Sequence, residues 1–471
     1  MPVKSSMPVK KCALTIVSGV FLAASVLGGI PQKAAADTLR QALQTAYFNN
    51  PGLRAERARQ RATDESVSQA LSGWRPNVVI SSDAGVTRTT SNPSIGGKNN
   101  DPYGSSISLV QPLFRGYRTV NSTRQAEAAV QAGRQTLLSV EQATLFDAVT
   151  AYMDVLRDQS VVRLQAKNVE VLTQQLKAEK ARFRVGEVTR TDVAQSQARR
   201  AGSISTLAQA KANLASSRAV YGRIIGKPPT SLKYPRSIRK ILPKTLDRAL
   251  EIGKSKNPQL LAASFSEISA RRAVEVVQGE LYPNLSLEAT YSYRRNPSTT
   301  IRRTETASLI GRLNIPLYQS GRVYSRVRQA KQTASQRRLL VLDAERTVVS
   351  SIISSWEQLR ALRAQIVSDR AQVKANKLAL QGVRQEALVG SRTTLDVLDA
   401  EQELLNSNVT LVVSRRNEVV ASYQLLSSIG QLTARDLNLT AKNYNPENNY
   451  NRVRNKLFGT NIGESPYKHT K

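Results

Sequence analysis

Residues 155–193 read VLRDQSVVRLQAKNVEVLTQQLKAEKARFRVGEVTRTDV, and this stretch decides the fold. Val155, Val162, Val169 and Leu176 stand seven apart, and Phe183 continues the series. A seven-residue apolar repeat is the seam of a coiled coil. At Val185-Gly186 the run breaks into V-G-E-V-T-R-T-D-V, which predicts a turn between two antiparallel helices. The helical pattern around it runs from Leu113 to Gly226, with no proline between Pro112 and Pro228. The same seam returns 204 residues later as Leu359, Ile366, Val373 and Leu380, and ends at Val389-Gly390 in V-G-S-R-T-T-L-D-V. The chain therefore carries its own second copy.

Working outward, T-L-R-Q-A-L-Q-T-A-Y-F-N-N-P-G-L predicts a short helix ending at Asn50-Pro51, because a residue before proline is pushed out of the α region. A second helix follows and stops at W-R-P-N, residues 74–77. The pattern recurs 207 residues on as T-L-D-R-A-L-E-I-G-K-S-K-N-P-Q-L, whose helix stops at L-Y-P-N, residues 281–284. The first repeat thus occupies residues 37–230, with helices over 38–74, strands over 77–111 and a long helical hairpin over 113–226. The second occupies 231–437, with helices over 245–281, strands over 284–315 and a hairpin over 318–430. Residues 438–471, beginning near N-Y-N-P-E-N-N-Y-N, are polar and without periodicity, which predicts a disordered tail.

Between each short helix and its hairpin the apolar period changes to two. Val78, Ile80, Ala84 and Val86 alternate with Ser81, Asp83 and Thr87, and Ile107 and Leu109 with Ser106 and Ser108. In the second copy Leu285, Leu287, Ala289, Tyr291 and Tyr293 alternate with Ser286, Glu288, Thr290 and Ser292; Ala307, Leu309, Leu313 and Ile315 alternate with Ser308, Arg312 and Asn314. Each copy contributes two strands of roughly ten residues, long enough to cross a bilayer when tilted. A soluble half-buried sheet shows the same alternation. Long helices on either side offer no second layer, however, and a lone four-stranded sheet leaves open edges. In hydrocarbon such edges are not permitted, and four strands cannot close a barrel, whose smallest form has about eight. Two or three chains must share one barrel. About 69 residues from Gly116 to Arg184 rise 1.5 Å each, a rod on the order of 100 Å that spans a periplasm. The arm returning from Asp192 to Gly226 is about half as long, so the helices ending at Trp74 and Leu281 must cover the rest.

Residues 1–36 carry Lys4, Lys10 and Lys11, an apolar run from Cys12 to Ile30, and Ala34-Ala35-Ala36 before Asp37, the form of a cleaved signal peptide rather than a retained anchor. Cys12 is the only cysteine, so the mature protein is thiol-free. Removing the signal leaves 64 basic against 35 acidic residues, a balance of +29. With a secretory address that charge suits anionic lipids, cell wall or a negative partner, or a merely solvated helix surface, better than nucleic acid. Enzyme chemistry lacks material: the sole histidine is His469, and Glu141, Asp147, Asp154 and Asp158 are scattered among basic residues. A secreted basic coiled-coil scaffold binding cell wall or polyanions is the alternative, and it leaves two strand pairs at matching points of the duplication unexplained.

The duplicated Asn-Pro helices, the strand pairs, the Pro112-Leu113-Phe114 and Pro316-Leu317-Tyr318 junctions and the V-G-x-x-x-x-x-D-V tips resemble the TolC-type outer-membrane efflux proteins over residues 37–437. The resemblance implies a mixed α and β membrane protein: a homotrimer with a barrel of twelve strands, four from each chain, among outer-membrane lipids, continued by a helical tunnel through the periplasm. It implies an export duct of a tripartite efflux or type I secretion system in a Gram-negative outer membrane. Its partners would be a periplasmic adaptor and an inner-membrane transporter of the RND or ABC type, with no cofactor, no metal, no catalysis and no nucleic acid. Gly186 and Gly390 would turn the hairpin tips. Thr191 and Asp192 would meet Arg392, and Asp396 and Asp399 would line the narrowest ring of an iris-like gate. Ala387 stands where the family often has a tyrosine, which removes one gate hydrogen bond. Read as residues alone, Asp192 and Asp396 sit where helices start and suit caps, whereas Asp399 lies a turn further in.

Overall fold

The computed structural model describes residues 38–89, 98–298, 300–440 and 443–462; the signal-peptide expectation lies outside these. In each half a short helix bends into a longer one at an Asn-Pro pair. The first pair is α1 (Leu39–Asn49) and α2 (Pro51–Leu71); the second is α5 (Leu246–Lys256) and α6 (Pro258–Gln278). Asn50 and Asn257 are both extended, at ψ 122°, as the following proline demands. Their side-chain oxygens cap the new helix through Leu53 N–H and Leu260 N–H, and their amides donate to the carbonyls of Ile224 and Ser428 at 3.1 and 2.8 Å. One residue thus starts a helix and ties it to the far end of a hairpin, twice.

The first hairpin is α3 (Arg118–Arg184) with α4 (Arg190–Ile225), and the second is α7 (Arg322–Leu388) with α8 (Thr394–Ser428). Both long arms have 67 residues, and their return arms have 36 and 35. Beyond each return arm the long helix is covered as its length requires: α2 and α6 lie along α3, and α6 also lies along α7. Val155 and Leu176 in one seam, and Leu359, Ile366 and Leu380 in the other, are buried. The main apolar core is a belt partway along the rods, where α1, α3, α5 and the ends of α4 and α8 meet around Tyr47, Tyr152, Tyr221, Leu425 and Ile429.

The strands are β1 (Asn77–Ala84), β2 (Thr87–Thr89), β3 (Lys98–Asn100), β4 (Tyr103–Arg115), β5 (Asn284–Arg295) and β6 (Arg303–Asn314). β2 and β3 pair with each other, and the remaining four form one antiparallel sheet in the order β1-β4-β5-β6. Register lines up Ile80, Ile107, Tyr291 and Ala307 in one cross-strand row and Val78, Leu109, Ala289 and Leu309 in the next. The opposite face runs Ser81, Ser106, Ser292 and Thr306. In the single chain the apolar rows are bare, with Ile80 73% and Leu309 70% exposed. Among the described residues β1 and β6 each have an unpaired edge. A sheet with an apolar outer face, a polar inner face and two open edges is one segment of a barrel wall.

Two expectations are corrected. The hairpins start later than residues 113 and 318. β4 continues through Pro112 to Arg115, with Leu113 bulged out of the ladder, because proline has no N–H for it. Left-handed backbone at Gly116-Tyr117 and Ser320-Gly321 then turns each chain into its helix. The tail is also ordered in part. Helix α9 (Glu447–Val453) packs on α2, and Tyr450 joins Val67, Ala126 and Val130. Arg134 and Arg454 face the Tyr450 ring at 5.2 and 5.7 Å and pair with Glu447 and Glu127. Asn449 donates to buried Asp64 at 2.8 Å. A polar composition hid these anchors, since stacking of tyrosine on arginine leaves no apolar period. Residues 441–442 and 463–471 of the expected tail lie outside the described ones.

Candidate functional site at the hairpin tips

The tips lie at the far end of the rods from the sheet, and the two are built alike. α3 ends where Gly186 takes φ +80°, with Gly186 N–H donating to Phe183 O and Glu187 N–H to Arg182 O. α7 ends where Gly390 takes φ +82°, with Gly390 N–H donating to Ala387 O and Ser391 N–H to Glu386 O. This closes the orphan carbonyls of each long arm and reverses the chain. Three residues on, Thr189 and Thr393 cap the return helices. Each threonine Oγ1 accepts from the N–H of Asp192 or Asp396 at 3.3 Å, and each carboxylate accepts the threonine N–H at 2.8 or 2.9 Å. The two aspartates therefore complete capping boxes from the third helical position, with threonine as the cap itself. These hydrogen bonds stabilise the ionised form and hold both carboxyls below the usual aspartate range, Thr189's hydroxyl mattering most at Asp192 and Thr393's backbone N–H at Asp396.

Capping thus accounts for Asp192 and Asp396, while the other expected residues divide. Thr191 is exposed in the first turn of α4. Arg392 does not reach Thr191 or Asp192 within the chain; its Nε donates to Glu386 of its own hairpin at 2.9 Å. Asp399 crosses between hairpins: Arg199 on α4 donates to its Oδ1 at 2.5 Å. Sequence reasoning missed Arg199, and it also missed Glu179, which is buried at the end of α3 and accepts from Thr394 of the other hairpin at 3.3 Å. Both pairings join residues some 200 positions apart, and no local motif signals them. Val185, Leu388 and Val389 project bare at the tips, at 72%, 79% and 81% exposure.

A family model described as outer membrane efflux protein matches residues 42–226 and 250–431, one segment in each repeat. The chain belongs to that family. It is 37% identical over 451 residues to the outer membrane efflux protein BepC of Brucella suis biovar 1, covering 96% of this chain and 97% of that one. It is 27% identical over 444 residues to the outer membrane protein TolC of Escherichia coli (strain K12), covering 90% and 89%. The fold matches the Campylobacter jejuni CmeC outer membrane channel with a TM-score of 0.77 at 14% identity, covering 94% of this chain and 98% of that chain. As a member of the family the protein is an efflux channel of the Gram-negative outer membrane that extends into the periplasm and catalyses no reaction. It works as a trimer within a tripartite efflux or secretion system. Among the described residues no helix is long and apolar enough to span a bilayer. The scaffold alternative falls with this assignment.

Proposed function

We propose that the paired tips are the periplasmic gate of the channel and its docking end for a periplasmic adaptor, through which an inner-membrane transporter of the RND or ABC type supplies the energy for export. The observation that carries this is the pairing of the tips: two matched turns, about 100 Å of helix away from the membrane sheet, bring Asp192, Asp396 and Asp399 to one end of the molecule. Three copies around an axis place like charges close together, so closure needs neighbouring donors. Arg392 and the Thr191–Asp192 start of α4 meet across subunits in this reading, since one chain does not bring them together. The bare rows Ile80–Ala307 and Val78–Leu309 meet outer-membrane lipid.

Planar-bilayer recording tests the gate. Arg392→Ala is expected to raise the conductance of the closed channel, and an unchanged conductance rejects a latch at this residue. Drug susceptibility of a deletion strain, measured beside its secreted proteins, separates efflux of small compounds from protein secretion.

A further inference from the structure

We propose that Arg199 is the counter-ion of the entrance. Its guanidinium sits on Asp399, couples the two hairpins of each subunit, and turns the narrowest carboxylate ring into a ring of ion pairs that no longer filters cations. This rests on the reading of the tips as a gate with Asp399 in the ring.

The tip ion pairs fall into two kinds. Arg182–Glu187, Arg392–Glu386 and Arg384–Glu401 each stay within one hairpin. Arg199–Asp399 joins α4 to α8, from opposite halves of the duplication, at 2.5 Å. The carboxylates also differ in what they have left to give. Asp192 and Asp396 are held by the backbone and hydroxyl of their own caps. Asp399 lies beyond the first turn, where a helix offers no free N–H, so its charge is the one left for a neighbour or a passing ion. The groove beside Arg199, lined by Gln195, Gly202, Thr206, Leu395 and Gln402, contributes no competing carboxylate. Thr394, donating to Glu179, fixes the same two hairpins nearer the turn.

Both partners are about half exposed, so water competes for each and the bond is readily broken. That suits a gate, which must open. A paired carboxylate presents a dipole to the axis, whose field dies away faster than that of a bare charge. Closed, the Asp399 share of the ring's charge is therefore offset by Arg199; when the hairpins part, Asp399 is uncovered. The contact also supplies a link between hairpins that Ala387 is too short to make.

The test uses the full-length trimer in planar bilayers under a KCl gradient, with LaCl3 as the probe of a bare carboxylate ring. Arg199→Ala should raise closed-state conductance, increase the K+ over Cl− permeability ratio about threefold, and bring on block by low La3+. Arg199→Lys should stay near wild type. The exchange of Arg199→Asp with Asp399→Arg should restore low conductance, and it covers the case in which the single variant fails to assemble. A merely structural arginine would alter trimer yield without moving the permeability ratio. If Arg199→Ala leaves ratio and block unchanged while Asp399→Asn alters conductance, the counter-ion role is overturned and the gate stands. If Asp399→Asn changes nothing either, the gate reading itself fails.

Discussion

The belt and the tips are both made of helix ends, yet they are held in opposite ways. At the belt, polar groups are satisfied by residues far away in sequence: Asn257 donates to Ser428, and Ala434 N–H donates to Glu141. At the tips every cap is local, with Thr189 and Asp192, or Thr393 and Asp396, three residues apart and in water. The belt is therefore fixed by buried long-range contacts, whereas the turn and cap of each tip are held by their own few residues, and among the described residues only the Arg199–Asp399 and Thr394–Glu179 hydrogen bonds join one tip to the other. A channel that opens at one end needs this division, because packing at the belt anchors what the tips swing from.

Substituting glycines of like backbone but unlike surroundings sharpens the contrast most. Gly430 and Gly186 have φ +81° and +80°. A Cβ at Gly430 would lie 2.4 Å from the Lys256 carbonyl oxygen, while at Gly186 it would meet nothing within 4 Å. Gly430→Ala is expected to cost roughly 2–5 kcal/mol, combining left-handed strain with overpacking. Gly186→Ala should cost about 1–2 kcal/mol from strain alone. Thermal melts of the detergent-solubilised trimer, followed by circular dichroism, compare the two. Equal losses would mean that the belt is not the anchored region.

A smaller effect is expected from the caps. Thr189→Ala and Thr393→Ala should each cost about 1 kcal/mol, and alike, since their geometry is alike. Amide exchange by mass spectrometry should show the loss confined to the starts of α4 and α8. Spread of the effect to α5 or α9 would break the claim that the tips are locally held.

Acid should separate the regions by sign, with the smallest amplitude. The lowered pKa values of Asp192 and Asp396 mean that their contribution is complete above the unfolded value of about 3.9 and is lost as pH falls through the lower folded values. Burial raises Glu141, so the folded belt binds that proton more readily and is relieved as pH falls through the raised value. Protection factors, corrected for the intrinsic pH dependence of amide exchange, should therefore hold at the tips until the pH nears the unfolded value of about 3.9 and fall below it, while belt protection rises as pH falls through the raised value. Belt protection that falls on that descent would refute the sign.

The same division explains what could be read from residues alone. Heptads, Asn-Pro bends, strand alternation and the two tip turns are local patterns, and they appear in the structure where their residues stand, except that Val86 and Ile315 fall just outside the strands. Pro112 misled because a bulge let a strand pass through it. α9 was missed because Tyr450 and Asn449 find partners on α2 and α3, which no period within 443–462 announces. At the tips the turns were legible from Gly186 and Gly390, but Arg199 on Asp399 was not, since that bond depends on how two hairpins lie side by side.

The unpaired flanks of β1 and β6 bear on inheritance as well as architecture. A chain whose flank is spoiled while its core still folds can enter a ring and ruin it for two sound companions. Where such a chain and the normal one are made in equal amounts and mix at random, only about one ring in eight is wholly sound. A faulty allele at these flanks should therefore behave as dominant, while one that prevents the belt from folding should stay recessive.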